Sequence, residues 1–358
     1  MSVDEDQRHQ LGSCILFESP DHSTVLIDIP CSIEEAQVLP GQIVRRRILS
    51  SDPSETPWKT PEPKNKGLGQ SISPSSAIAE LMTLESVKAA LQDVKHSYKG
   101  PWCLPRVSRD TNHPNGDSLQ LNEPRKRKQT DTRIEDIGAI SNPLIPEKSH
   151  YLSGTIESQR ETFLADSPMF DLIVLDPPWP SRSVKRKQNS YETVYGMQEA
   201  RDLLGQIPVA SRLKADGLVA VWVTNKAAVA DLLTSPTGIF SEWGLELVGE
   251  WIWLKVTSSG DPVIDIEAQW RKPWERLLLG RKRDCAMKAP IPTKVVIGVP
   301  DIHSRKPNLR PLFEGILPQN YTGLEVFARN LTAGWWSWGN EVLCFQQKHH
   351  WIENIDEK

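Results

Sequence analysis

Residues 170–179 read FDLIVLDPPW, in which a run of apolar residues ends at Asp176 and turns through two prolines onto Trp179. A short apolar run that ends in a turn is typical of a buried parallel strand in an α/β sheet. Ligands of open α/β sheets bind beyond the carboxyl ends of the strands, which is where Asp176 falls. The stretch therefore predicts an α/β fold with a binding site at this turn.

The turn itself offers a carboxylate, a backbone carbonyl and an indole ring within four residues. Pro177 and Pro178 fix φ and carry no N–H, so nearby carbonyls remain to accept hydrogen bonds from a ligand. An exocyclic amine on a planar base would donate to Asp176 and to the Pro177 carbonyl, while Trp179 stacks on the ring. The alternative is a surface turn whose tryptophan packs on the core, and the adjoining apolar strand favours the binding site.

From about residue 160, apolar runs alternate with helical patterns, which predicts a mostly parallel sheet with helices on both faces. Helices are predicted at 197–213, at 225–234 and from Pro307. Strands are predicted at 171–175, 217–223, 246–256, 275–280, 294–299, 323–328 and 341–346, and Cys344 falls in the last of them. Eleven of the thirteen tryptophans lie from Trp179 onward, which places the larger core in this half.

The first 150 residues have fewer apolar anchors. A hairpin is predicted at 13–30 and a helix at 77–96. Between and after them, the polar stretches 50–75 and 105–135 predict a linker and a disordered segment. Nothing in 1–150 indicates a catalytic role, so we expect an accessory region that packs on the domain at 151–358 or binds a partner.

Composition and charge narrow the classes of function. The 358 residues carry a formal net charge of −4, which argues against indiscriminate binding to nucleic acid. The run PRKRK at 124–128 predicts a nuclear localisation signal, with a solvated charge run as the alternative. No apolar run approaches the ~18 residues of a membrane span. The five cysteines are scattered without metal-ligand or disulfide spacing, so we expect neither membrane association nor a metal site.

Further motifs follow the turn: VWVTN at 221–225, WIWLK at 251–255, PWERLLLG at 273–280, IHSRKP at 302–307 and LEVFARNLTAGWWSWGNEVLCF at 324–345. Together with DLIVLDPPWPSRSVKR they resemble the mRNA (N6-adenosine) methyltransferase family, and within it the methyltransferase-like protein 4 branch. The resemblance covers about 168–346 and not 1–150. It implies a Rossmann-like, S-adenosylmethionine-dependent methyltransferase fold at 151–358. The implied motif order is permuted, because the catalytic turn precedes the cofactor strand and loop at 323–340.

The resemblance also implies roles for single residues. Asp176, Pro177, Pro178 and Trp179 form the catalytic turn, in which Asp176 positions the adenine amine and contacts the cofactor's ammonium group rather than acting as a general base. Lys306 pairs with the methionine carboxylate. The further cofactor-binding residues are Ser304, Arg329, Asn330, Asn340 and Glu341, of which the last two hold the ribose hydroxyls.

Other side chains are expected to support these groups or to contact the target nucleotide. Glu325 is expected to orient Arg329 or its loop, and Trp335, Trp336 and Trp338 are expected to pack the cofactor loop. The basic loop at 180–190 places Lys185 and Arg186 beside Trp179, where they would meet the phosphates of the target nucleotide. Asn225 and Lys255 could contact the same nucleotide, with a structural role as the equal alternative.

The predicted function is methyl transfer from S-adenosylmethionine to the N6 amine of an unpaired or flipped adenine in nucleic acid. RNA is favoured, with 2′-O-methyladenosine of a small nuclear RNA as the most specific target. The alternatives are DNA adenine methylation by the same site and a catalytically silent RNA-binding scaffold. The intact Asp-Pro-Pro-Trp turn and Lys306 favour an enzyme. We expect it to be nuclear, or nuclear and cytoplasmic, and to act without an obligatory protein partner.

Overall fold

The computed structural model describes residues 13–59, 74–108, 142–180, 196–268, 271–286 and 291–353. The strands are β1 (Ile15–Glu18), β2 (Thr24–Ile27), β3 (Arg46–Ile48), β4 (His150–Ser153), β5 (Phe170–Leu175), β6 (Leu213–Val223), β7 (Leu245–Lys255), β8 (Trp274–Lys282), β9 (Lys294–Gly298), β10 (Gly323–Val326), β11 (Trp336–Gly339) and β12 (Trp351–Glu353). The helices are α1 (Ile29–Glu35), α2 (Pro74–Ser97), α3 (Ile156–Asp166), α4 (Met197–Gly205), α5 (Val209–Arg212), α6 (Ala227–Thr234), α7 (Ile239–Glu242) and α8 (Arg310–Phe313).

Within the described residues, ten strands form one sheet in the order β1-β2-β9-β7-β8-β6-β5-β10-β11-β4. β8 runs antiparallel to both of its neighbours, and β1 runs antiparallel to β2 at the edge. All other neighbours are parallel. The predicted α/β fold with a mostly parallel sheet is therefore confirmed, and the arrangement is consistent with a Rossmann-like fold.

Both faces of the sheet are buried. On β5, Leu172 and Val174 join the core that contacts α1 and α8, whereas Ile173 and Leu175 join the core on the opposite face. Burial on both faces explains why this strand is a continuous apolar run rather than an alternating pattern. Its one polar residue, Asp171, accepts hydrogen bonds from the backbone N of Thr322 and from Lys214 Nζ, both at 2.8 Å. These contacts tie β5 to β6 and to the start of β10.

The N-terminal elements continue the same sheet. β1 and β2 pair antiparallel within the predicted hairpin, and β2 pairs in parallel with β9. α2 covers this part of the sheet through Val87, Ala90 and Val94, which pack with Leu26 and Ile297. The proposed division of the chain at residue 150 stays a prediction. Most of the predicted linker and disordered stretch lies outside the described residues.

Two predictions of secondary structure are wrong. The strand predicted at 341–346 is a turn followed by a 3-10 segment at Cys344–Gln346, because Cys344 N donates to Glu341 O within the turn. The strand lies earlier, in the tryptophan-rich β11. The helix predicted at 197–213 is interrupted between α4 and α5, where Pro208 carries no N–H to continue it. β4 and α3 were not predicted at all.

No helix in the described ranges is long and apolar enough to cross a membrane. In the same ranges, no three His, Cys, Asp or Glu side chains are grouped so that they could hold a metal ion.

Candidate active site

The predicted turn lies between the ends of three neighbouring strands. The backbone N of Asp176 donates to Val326 O at 3.3 Å, which ties the turn to the end of β10. The indole Nε1 of Trp179 donates to Trp222 O on β6 at 2.7 Å, and its ring is partly buried against the core. The turn is thus held on both sides, with Asp176 at the carboxyl edge of the sheet.

Asp176 contacts Lys306 in a pocket that both residues line. Lys306 Nζ lies 3.1 and 3.0 Å from the two carboxylate oxygens of Asp176. Ser304, Arg329 and Asn330 line the same pocket. Five residues predicted to bind the cofactor, taken from three separate motifs, therefore share one cavity at the ends of β5 and β10.

Lys306 belongs to a chain of alternating charges. Its Nζ also lies 3.3 Å from Glu275 Oε2, and the other oxygen of Glu275 pairs with Lys255. The two ammonium groups lie over tryptophan rings, Lys306 at 5.6 Å from the centroid of Trp222 and Lys255 at 4.5 Å from that of Trp253. Aromatic faces stabilise cations in this geometry, so both lysines are held by charge and by a ring.

These contacts shift the pKa values of the network. Burial alone would raise the pKa of Glu275, but the charges of Lys306 and Lys255 outweigh it and lower the pKa to about 2. Burial would lower the pKa of Lys306, yet its two carboxylate neighbours raise it above the usual range. Burial raises the pKa of Asp176, the charge of Glu275 adds to this, and Lys306 acts against both. Lys306 and Glu275 are therefore charged throughout the physiological range.

Glu325 is a second acid in the pocket. It lies on β10 opposite Val174, and burial raises the pKa of its carboxyl to about 8, with the charge of Asp176 adding to the effect. At neutral pH the group is mostly protonated and can donate a hydrogen bond. That Glu325 orients Arg329 or its loop stays a prediction. Arg329 Nε lies 3.0 Å from Glu341 Oε2.

The ribose-binding pair predicted from the sequence lies at the periphery. Asn340 is exposed at the end of β11, and Glu341 reaches the pocket through its ion pair with Arg329. Of the three tryptophans expected to pack the cofactor loop, Trp335 lines the pocket. Trp336 stacks on His150, and Trp338 stacks on Phe163 of α3, so these two pack on the far side of β11.

The predicted nucleotide contacts are only partly within the described chain. Lys185 and Arg186 lie outside the described residues. Asn225 donates from Nδ2 to Trp274 O at 2.5 Å and so links the end of β6 to β8, which is the structural alternative for this residue. Lys255 is bound to Glu275 within the charge network.

Glu275 and Trp222 were missed by the sequence reasoning. Glu275 stands second in the buried strand β8, two residues before the apolar run Leu277–Leu279, in the motif PWERLLLG. A carboxylate in such a strand needs a partner, since burying an unpaired charge is costly, and this signal could have singled it out. Trp222 lies in the middle of an apolar strand, where nothing distinguishes a pocket wall from core.

A mostly parallel sheet with a charged pocket at its strand ends is the architecture of a Rossmann-like enzyme. Residues 170–341 match the family described as MT-A70. The chain is 47% identical over 361 residues to the "N6-methyladenosine RNA methyltransferase MTA1" of Cryphonectria parasitica, which covers 98% of this chain and 97% of that protein. The chain belongs to the MT-A70 family, as the motifs predicted, and is a methyltransferase.

Two further relatives match a shorter part of this chain. The human "N(6)-adenine-specific methyltransferase METTL4" is 36% identical over 220 residues, 58% of this chain and 45% of that protein. The "DNA N6-methyl methyltransferase" of Caenorhabditis elegans is 36% identical over 214 residues, 59% of this chain and 56% of that protein. The similarity to the Cryphonectria protein thus extends into residues 1–150, whereas these two match little more than half of the chain.

Proposed function

We propose that this protein transfers a methyl group from S-adenosylmethionine to the N6 amine of adenosine in RNA. The chain is an adenine-N6 methyltransferase by family. The observation that supports its activity is the pairing of Asp176 with Lys306 in one pocket that also contains Ser304, Arg329 and Asn330. An inactive scaffold would have no need to retain this set.

The pocket fits the methionine end of S-adenosylmethionine, on which the MT-A70 methyltransferases depend. That end is a zwitterion, and Lys306 and Asp176 present a cation and an anion 3.0 Å apart. We assign Lys306 to the carboxylate and Asp176 to the ammonium group, with Ser304, Arg329, Asn330, Asn340 and Glu341 along the rest of the cofactor. When bound, the cofactor supplies an electrophilic methyl group.

The residues of the turn position the acceptor. Asp176 and the Pro177 carbonyl would accept the two hydrogens of the adenine amine and so direct the nitrogen lone pair towards the methyl group of a bound cofactor; the cationic methylated nitrogen would then lose one proton to solvent. Trp179 stacks on the base, a contact of roughly 1–3 kcal/mol. Lys185 and Arg186, which follow the turn in the sequence, hold the phosphates. When Asp176 binds the ammonium group and the adenine amine, Glu275 remains as the counter-ion of Lys306.

We also propose the permuted motif order. β5, which carries the catalytic turn, precedes β10 by about 150 residues in the sequence, yet the two strands are parallel neighbours in the sheet. Phe327, Arg329 and Asn330 follow β10, Asp176 follows β5, and these four residues line the same pocket. This arrangement supports β10 as the cofactor strand.

We favour RNA as the substrate because a relative that matches 98% of this chain is named an RNA methyltransferase. Within RNA, 2′-O-methyladenosine of a small nuclear RNA remains the most specific candidate. DNA is the second candidate, favoured by the printed name of the Caenorhabditis relative. We further propose that residues 124–128 direct the protein to the nucleus. Alanine substitution of this basic run in a fluorescent fusion tests the proposal.

The decisive experiment measures transfer of labelled methyl groups to four matched oligonucleotides, which carry adenosine in RNA, 2′-O-methyladenosine in RNA, or adenine in single- or double-stranded DNA. Asp176→Asn keeps the shape of the side chain, and we expect it to lose at least about 99% of the activity while it stays folded. Preference for either RNA supports the proposal. Preference for DNA overturns the proposed substrate. Transfer by Asp176→Asn at the wild-type level overturns the proposed site.

A further inference from the structure

A buried triad of charges fixes the loop that carries Lys306 to the N-terminal half of the chain. The loop, residues 299–306, follows β9. Its Asp301 lies between Arg106 and Arg305, and the three side chains are 0%, 2% and 1% exposed. Asp301 Oδ1 is 3.8 Å from the nearest nitrogen of Arg106, and Oδ2 pairs with Arg305.

The N-terminal half also holds this loop by hydrogen bonds that involve backbone groups. Arg106 donates to Val299 O and Pro300 O, both at 2.8 Å. Ser51 donates to Asp301 Oδ1 from its backbone N at 2.8 Å and from its hydroxyl at 3.2 Å. In the reverse direction, Arg305 donates to Leu49 O at 3.0 Å.

The two gripping segments are themselves anchored. Ser50 N donates to Val107 O at 2.9 Å, which joins residues 49–51 to 106–107, and Leu49 N donates to His350 O at 2.8 Å. Arg47 donates to Pro105 O at 2.7 Å and pairs with Glu34 of α1. The triad therefore connects the loop to a braced part of the molecule rather than to a loose strand.

The loop needs such support to present its functional side chains. Ser304 has a φ of +67°, a left-handed conformation that is uncommon for a residue other than glycine. Arg305 directly precedes Lys306 and packs on Phe345, 4.4 Å from the ring centroid, and both Arg305 and Phe345 line the cofactor pocket. Burying three charges is expensive and adds little net stability, so a role in fixing the loop is a better account of the triad than stability alone.

We propose that Arg106 and Asp301 are positioning residues for cofactor binding, and that residues 49–51 and 105–107 hold the Lys306 loop in place from outside the cofactor pocket. They act through Arg305 and the loop backbone, which set the place of Lys306 opposite Asp176. The inference rests on the proposed cofactor site, and it gives a function to a part of the N-terminal half that touches no substrate.

The test is Arg106→Lys, which keeps the buried charge but loses the paired hydrogen bonds from two guanidinium nitrogens to Val299 O and Pro300 O. Binding of S-adenosylmethionine and S-adenosylhomocysteine is measured by calorimetry without any methyl acceptor. We expect Kd to rise about tenfold, since each lost hydrogen bond contributes a factor of roughly 2–10. Turnover at saturating cofactor should stay near that of the wild type, and amide exchange of residues 299–306 should be faster.

A matched control is Arg212→Lys, which removes a guanidinium that donates to Leu164 O of α3, outside the pocket. We expect an unchanged Kd for this control. An unchanged Kd for Arg106→Lys, or an equal rise in both variants, overturns the inference. If Arg106→Lys does not fold, Ser51→Ala is measured in its place. We expect its Kd to rise two- to threefold, and a wild-type Kd for this variant contradicts the inference. Failure of the wild-type protein to bind either compound overturns the proposed function and this inference together.

Discussion

Glu275 holds both lysines of the pocket at once, Lys306 at 3.3 Å and Lys255 through its other oxygen. Its position explains how Lys306 can keep its charge and its place when Asp176 turns to a ligand. Without Glu275, Lys306 and Lys255 would repel each other, and Asp176 would be the remaining partner of Lys306 in this network. A carboxylate at this position therefore keeps Asp176 available.

We accordingly predict that Glu275→Gln weakens cofactor binding. Gln keeps the shape of the side chain but removes the charge, so Lys306 shifts its bond towards Asp176. The KM for S-adenosylmethionine should rise about tenfold or more, since hydrogen bonds to charged groups contribute roughly 1.5–3 kcal/mol. Steady-state methyl transfer at varied cofactor concentration measures this.

The control for Glu275→Gln is Glu250→Gln. Glu250 pairs with Arg276 across the same two strands, β7 and β8, and Arg276 Nη2 lies 2.7 Å from its Oε2. This pair is outside the cofactor pocket, so its loss should leave the KM near that of the wild type. Equal effects of the two substitutions would contradict a specific role for Glu275.

Glu325 makes folding stability depend on pH. Its pKa is about 8 in the folded protein and near 4.5 in the unfolded chain, so between these values the folded state binds more protons. Stability then falls as pH rises through this window. We predict that Glu325→Gln raises the Tm relative to the wild type by roughly 2–4 °C or more at pH 9 and little at pH 5. Thermal unfolding at both pH values tests this, and an equal shift at both would contradict the raised pKa.

The site residues that lie within distinctive sequence motifs could be predicted. Asp176, Lys306 and Arg329 stand in short, distinctive stretches, and the fold brings them to one pocket. Glu275 and the Arg106–Asp301 pair were not recognised, because their roles depend on contacts between segments distant in sequence. The pairing of Arg329 with Glu341 is set by side-chain geometry, which a one-dimensional pattern does not contain.

At the scale of elements, apolar patterns predicted most strands of the large sheet, because strands buried on both faces are continuous apolar runs. The prediction missed β4 and β11. β4 is polar and largely exposed at the sheet edge, so it carries no such pattern. The strand placed at 341–346 was wrong because EVLCF is apolar enough for a strand, yet its backbone bonds close within a turn.

α2 allows the same reasoning to be tested by a matched pair on one helix. Val94 is fully buried against β2 and β9, whereas Leu81 is 58% exposed. We predict that Val94→Ala lowers the free energy of unfolding by about 2 kcal/mol, from two lost methyl groups and the cavity they leave. Leu81→Ala should change it by less than about 0.5 kcal/mol. Urea unfolding followed by circular dichroism measures both, and similar losses would show that α2 does not dock as described.

At the scale of the whole molecule, the N-terminal half contributes in two ways. β1 and β2 extend the sheet beyond β9, and residues 49–51 and 106 grip the Lys306 loop. A division into an accessory region at 1–150 and an independent catalytic domain is therefore open to a direct test.

We predict that a chain starting at residue 142 does not fold into a soluble domain. Its loss of β2 leaves β9 as a bare edge whose Val295 and Ile297 also lose the cover of α2, and such an apolar edge promotes aggregation. A chain starting at residue 13 keeps every N-terminal contact described here and should remain soluble and bind S-adenosylmethionine. Size-exclusion chromatography and thermal unfolding compare the two. A soluble, cooperatively unfolding 142–358 chain with wild-type cofactor affinity would establish the independent domain and contradict the structural role of the first half.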